Sequence, residues 1–187
     1  TGCLQYIKGM FAFAVWDKQE KELCLVRDRM GVKPLYYYID KEKFIFASEI
    51  RAILATGLVS KKLNQQAIYE YLSYQSVSFP FSVIEGIQQL EAGSFMKIKH
   101  GKAQVKKYWN CWDKEARYNY TDAKSIKNEI HNLLGRSIQR RLVSDVPVGA
   151  FLSGGIDSSI VVGLMAEAGG VRPSTFNISF SEKEFDE

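Results

Sequence analysis

The stretch "AFLSGGIDSSIVVGLMAEAG", residues 150–169, limits the possible folds more than any other part of the chain. An apolar run is cut by two glycines, an aspartate and three serines, and an apolar pattern resumes at once. The first residues read as the end of a buried strand. The later residues read as a helix from Ser158 to about Ala168, which leaves only a tight loop between them. In a strand–loop–helix unit of a parallel sheet, such a loop lies at the carboxyl end of the strand, where open α/β sheets place their ligands.

The residues before this unit extend the pattern. Thr121 can cap a helix in which Ile126, Ile130, Leu133, Leu134, Ile138 and Leu142 recur at spacings of three and four. Strands are expected at about 147–152 and 174–180. Helix, strand, helix, strand is how a parallel sheet begins.

Residues 9–56 follow a different grammar. "GMFAFAVWD" and "KELCLVRD" flank the charged turn "KQEK", and "PLYYYID" and "KFIFAS" flank "KE". These alternating or apolar runs predict antiparallel strand pairs. "SEIRAILATG" predicts a helix capped by Ser48 and ended by Gly57. A second helix starts at Asn64, and a hairpin over about 93–109 turns at His100-Gly101. The change of grammar places a domain boundary near 110–120, giving domains at 1–112 and 113–187.

Composition excludes several classes. Of 187 residues, 46% are hydrophobic, enough for a core, yet no apolar run approaches the roughly 18 residues that a membrane span needs. The net charge of +4 is spread along the chain, so a nucleic-acid partner is not expected. The basic stretch "KIKHGKAQVKK" alternates with apolar residues and reads as the guard of a hairpin edge. Cys3, Cys24 and Cys111 lack metal-site spacing, and no leader pattern opens the chain, so a reducing cytoplasm is expected. The chain starts with Thr and stops after a strand, which suggests an excerpt.

The loop's chemistry is that of an anion cradle. A helix N-terminus presents unpaired N–H groups and a partial positive charge. Gly154 and Gly155 let the backbone curl with its amides inward, and Ser153, Ser158 and Ser159 offer hydroxyls. Asp157 would repel a phosphate unless Mg²⁺ bridged the two; the alternative is a plain helix cap. The Gly-Lys-Ser/Thr ending of a Walker loop and the Gly-x-Gly-x-x-Gly of a dinucleotide fold are both absent. Six fixed letters at ordinary frequencies arise by chance with odds on the order of 10⁻⁵ in a chain of this length.

"SGGIDSS" resembles the pyrophosphate loop of the ATP pyrophosphatases, which split ATP between its α and β phosphates. "KGMFAFAVWD", "RDRMGVKPLYYY" and "FASEIRAIL" resemble the later strands of an N-terminal-nucleophile glutaminase sandwich of the class II amidotransferases. With "LEAGSFMKI", "KKYW" and "DVPVGAFLSGGIDSS", the whole resembles the glutamine-hydrolysing asparagine synthetases. The implied fold is α+β followed by α/β: antiparallel glutaminase sheets with helices, then the start of a parallel-sheet synthetase domain of the adenine-nucleotide α-hydrolase kind.

The resemblance implies a function and a site. Glutamine, aspartate and ATP are the small-molecule substrates it implies, with Mg²⁺, passage through β-aspartyl-AMP, release of AMP and pyrophosphate, and a homodimer left open. Phe151, Ser153, Gly154, Gly155, Asp157, Ser158, Ser159 and Ile178 would hold ATP, with Asp157 on the magnesium. Met10 and Val32 fall where the family lines its ammonia tunnel, although a Met and a Val are also ordinary core residues. The glutaminase nucleophile is expected upstream of Thr1, so the excerpt alone is expected to be inactive. Arg27 and Asp28 read as turn residues, Glu49 and Arg51 as helix-start residues, and His100 and His131 as solvated. Rival readings are a sister enzyme that amidates another carboxylate or closes a β-lactam, a tRNA-modifying pyrophosphatase, and a non-enzymatic interaction module.

Overall fold

A computed structural model describes residues 2–113, 122–169 and 172–178. The chain divides into two compact units, Thr1–Glu115 and Ala116–Glu187.

The first unit holds two antiparallel sheets. Strands β1 (Ala12–Asp17) and β2 (Glu22–Arg27) form the expected first pair, β3 (Tyr36–Ile39) and β4 (Phe44–Ala47) the second. Each turn is tied by an aspartate. Asp17 accepts the Gln19 and Glu20 amides at 2.9 and 3.0 Å, and Asp40 those of Glu42 and Lys43 at 2.8 and 2.9 Å. Strands β6 (Ser94–Lys99) and β7 (Lys102–Lys107) form the hairpin, with His100 at φ 50° and Gly101 at φ 73°, the twin left-handed residues of a tight two-residue turn. The sequence pattern does not reveal β5 (Ile87–Gln89), a three-residue strand that pairs with β3.

Sheet order is β1-β2-β6-β7 in one sheet and β4-β3-β5 in the other. Alternation along the strands builds the layers. Leu25 and Met96 face Tyr37, Leu35 and Leu90, which makes the core between the sheets. On the opposite face of the first sheet, Val26 and Phe95 bury Leu4 of a short 3-10 helix, Gly2–Gln5. On the opposite face of the second, Ile87 packs with Ile53 of α1 (Ile50–Ala55), while Tyr36 and Tyr38 join from β3. A core leucine lost from such a layer costs about 2–5 kcal/mol. The lysine-rich β7 is exposed along its whole length and forms a sheet edge, as its charge suggests.

Helix starts differ in part from expectation. Helix α1 begins after Glu49, not Ser48, and no side chain caps it; Gly57 does follow its end, at φ 69°. Helix α2 (Gln65–Tyr74) starts as expected, with the Asn64 side chain accepting the Ala67 amide at 3.3 Å.

The second unit opens on α3 (Ala123–Arg141), with β8 (Gly149–Phe151), α4 (Ile156–Gly169) and β9 (Ser174–Phe176) after it. Thr121 lies outside the described residues. Asp122 is the N-cap, accepting the Ser125 amide at 2.8 Å. Strands β8 and β9 are parallel, with Ala150 opposite Thr175. The expected parallel β–α–β unit is therefore present, although both strands are shorter than the sequence suggests. Of the apolar stripe on α3, Ile138 is buried against Leu164 and Met165 with Leu142 beside it, while Ile126, Ile130, Leu133 and Leu134 are exposed. No described helix is long and apolar enough to cross a membrane.

Candidate functional site

The loop after β8 is short because α4 starts early. Ile156, not Ser158, is its first residue, so Ser158 and Ser159 stand in the first turn. The Ser159 amide donates to the Gly155 carbonyl at 3.1 Å, whereas the amides of Ile156, Asp157 and Ser158 have no partner within the helix and point toward the loop. Gly154 holds φ at 85°, a left-handed value that a side chain resists. Gly155 has no such requirement, and a Cβ built there would meet only Ser153 Oγ at 3.6 Å. Of the two glycines, only Gly154 is needed for the curl; Gly155 leaves room beside the loop.

The three hydroxyls are joined. Ser158 Oγ donates to the Gly155 carbonyl at 3.0 Å and Ser159 Oγ to the same oxygen at 2.8 Å. Since Ser158 spends its proton there, Ser153 donates to Ser158 Oγ at 3.2 Å. Each hydroxyl proton is thus held inside the loop and has to rotate outward to serve an anion, whereas the amides need no rearrangement. Asp157 is the second residue of α4, exposed and inside the first turn, so it is not the N-cap. Its carboxylate has no partner among the described residues.

Phe151 ends β8, 75% exposed, with its ring 6.3 Å from that of Phe176 on β9. Ile178 follows two residues later, 70% exposed. All the nucleotide residues expected from the sequence therefore lie along β8, the loop, the start of α4 and the end of β9. The arrangement supplies amide donors, a free carboxylate for a divalent cation and two apolar side chains beside them. This donor set fits Mg²⁺, which favours one or two carboxylates together with phosphate oxygens. His131 is exposed, as expected, and its Nε2 lies 3.1 Å from Glu167, joining α3 to α4.

In the first unit, Met10 and Val32 are 46% and 51% exposed, so neither serves as core there. What the sequence reading missed lies between them. Asp28 is 1% exposed, and its carboxylate accepts four amides. Oδ2 takes Phe11 at 3.2 Å and Lys33 at 2.9 Å; Oδ1 takes Met30 at 3.1 Å and Val32 at 3.0 Å. Burial pushes this carboxyl up, but the amides of Lys33, Val32, Phe11 and Met30 together outweigh it and hold it below the ordinary carboxylate range. Arg27 donates to the carbonyls of Lys33, Gly31 and Leu90 at 2.9, 2.7 and 2.6 Å, and burial lowers its affinity for its proton. A turn role explains the local bonds, as read from "RDRMGVKP". The reach of Asp28 back to Phe11, across 17 residues, carries no local signal.

Comparison with known proteins matches residues 1–109 to the glutamine amidotransferase domain and residues 129–187 to asparagine synthase. The Methanocaldococcus jannaschii protein named "Putative asparagine synthetase (glutamine-hydrolyzing) 2" is 40% identical over 99% of this chain and 36% of its own length. Bacillus subtilis asparagine synthetase (glutamine-hydrolyzing) 3 is 32% identical over 97% of this chain and 30% of its own. The chain thus spans about a third of the length of these relatives. Among solved structures, the B. subtilis glutamine phosphoribosylpyrophosphate amidotransferase aligns over 100% of this chain and 37% of that one, at 16% identity and a TM-score of 0.39. That superposition is too loose to bear on the fold.

Proposed function

The chain belongs to the glutamine amidotransferase family, and from that membership we propose that the protein carrying it makes asparagine from aspartate, using ATP and ammonia released from glutamine. Residues 1–112 are then part of the glutaminase domain and 113–187 the first part of the ATP-pyrophosphatase domain. One observation carries this reading: a strand–"SGGIDSS"–helix loop with free amides and a free Asp157 carboxylate occurs in the same chain as a glutamine amidotransferase domain.

The chemistry follows from the site. A carboxylate is a poor acceptor for ammonia, and a mixed anhydride with AMP supplies a leaving group. Charge grows on pyrophosphate as it departs. The amides at the start of α4, together with the Gly154 and Gly155 backbone, would receive it without reorganising, which is how fixed dipoles lower a barrier. Ser158 and Ser159 would add donors once they turn away from the Gly155 carbonyl, and Ser153 once it turns away from Ser158. Asp157 would hold Mg²⁺, which when bound neutralises phosphate charge. Phe151 and Ile178 would flank the nucleotide. Met10 and Val32 would line the ammonia path. The described cysteines are free, in keeping with a cytoplasmic location.

The test uses protein expressed from the complete reading frame, supplied with glutamine, ATP and aspartate. Asparagine, AMP and pyrophosphate in equal amounts are expected. Asp157→Ala is expected to reduce synthesis by at least about a hundredfold, the scale of lost electrostatic stabilisation, while glutamine hydrolysis continues. Amide formation on another carboxylic acid but not on aspartate would overturn the assignment of substrate.

A further inference from the structure

We propose that Asp28 is a positioning residue for the ammonia path, setting Met10 and Val32 on one rigid frame; the proposal rests on the reading of those two residues as path walls. A single buried carboxylate reaches both segments. It accepts the Val32 amide directly and the amide of Phe11, the neighbour of Met10. The Asp28 amide returns a bond to the Phe11 carbonyl at 2.8 Å, and the Asp28 carbonyl accepts Gly31 at 3.1 Å and Gly93 at 2.8 Å.

The consequence lies in which groups face outward. The loop 28–33 turns its polar backbone inward: the Met30, Val32 and Lys33 amides go to Asp28, and the Gly31 and Lys33 carbonyls go to Arg27. The side chains of Met30 and Val32 are left outside, 73% and 51% exposed, and Met10 is 46% exposed. Met30 and Val32 thus set apolar side chains on the outer side of a loop that turns these backbone groups inward, with Lys33 exposed beside them. Neutral ammonia passing the Met10 and Val32 side chains meets no hydrogen-bonding group on either of them.

The experiment compares Asp28→Asn with Val32→Trp in protein from the complete reading frame. Asparagine keeps one acceptor oxygen and sets an NH₂ group against two of the four amides. The readout is the ratio of glutamate released to amide formed, with ammonium-driven synthesis measured in parallel. For both variants the ratio is expected to rise at least about threefold while ammonium-driven synthesis stays within about twofold, a split that a general loss of fold does not produce. If Val32→Trp raises the ratio and folded Asp28→Asn does not, the positioning role is overturned and the path stands. If neither raises it, the path reading falls and this inference with it. If only Asp28→Asn raises it, Asp28 does not act through Val32 and the inference is again overturned. Should Asp28→Asn fail to fold, Arg27→Lys loosens the same loop through its carbonyls; folded protein with an unchanged ratio overturns the proposal.

Discussion

Arg27 Nη1 donates to the Leu90 carbonyl at 2.6 Å, bridging 63 residues of sequence between the end of β2 and the chain just before β6. Leu90 itself belongs to the core between the two sheets. With its bonds to Gly31 and Lys33, one guanidinium, 7% exposed, ties a loop to that core.

Arg27→Met keeps the aliphatic stem and strands three carbonyls. The Leu90 bond is buried and the other two partly so; an unpaired buried acceptor costs about 1–3 kcal/mol, so a loss of about 2 kcal/mol or more in urea unfolding of the complete protein is expected. A loss under about 1 kcal/mol would show that the carbonyls find other partners and that the fork is not structural.

Acid should unfold the first unit through its carboxyls. Asp28 is held below its ordinary range, and Asp40 is lowered from 3.8 to about 2, chiefly by the Glu42 amide. The folded state therefore binds fewer protons than the unfolded one in this range. Their contribution is complete above the ordinary carboxylate range and is lost as pH falls toward about 2. Urea midpoints should fall across that window, and the fall should be shallower in Asp40→Asn. An unchanged pH profile in that variant would mean that Asp40 carries none of the effect.

Two glycines with similar backbone angles should respond differently to alanine. Gly57 sits at φ 69° with open space around it, so Gly57→Ala costs only the left-handed strain of about 1–2 kcal/mol. Gly93 sits at φ 67°, and a Cβ there would collide with the Trp109 carbonyl, which is backbone and cannot swing aside. Gly93→Ala is expected to lower the melting temperature several times further than Gly57→Ala. Equal shifts would show that the 93–109 segment yields.

Thiol labelling should separate the cysteines. Cys3 and Cys111 are exposed, whereas Cys24 is partly covered and burial raises its pKa. Since the thiolate is the reactive form, Cys24 is expected to label last near neutral pH and to gain most as pH rises. Simultaneous labelling of all three would contradict the packing of Cys24 beside Val26 and Phe95.

Local patterns made much of the fold legible. Alternation revealed the two strand pairs, and His100-Gly101 revealed the turn of the hairpin, because period and turn chemistry are written within a few residues. The three-residue strand β5 was not legible, since "IQQ" has no pattern of its own and is a strand only because β3 offers it partners. Helix starts slipped by a residue or two at Ser48, Thr121 and Ser158, where several polar residues compete to cap and packing selects among them.

The candidate site divides in the same way. "SGGIDSS" by itself determined a tight loop between a strand and a helix, because left-handed backbone and a helix start are local properties. The tertiary structure decided the rest. It set α4 at Ile156, closed the Ser158 and Ser159 hydroxyls on the Gly155 carbonyl with Ser153 bonded to Ser158, brought the Phe151 and Phe176 rings together, and left Asp157 without a partner among the described residues. Asp28 shows the reason most plainly. A carboxylate becomes a frame only when distant amides are folded around it, and a bond across 17 residues leaves no trace in the letters between.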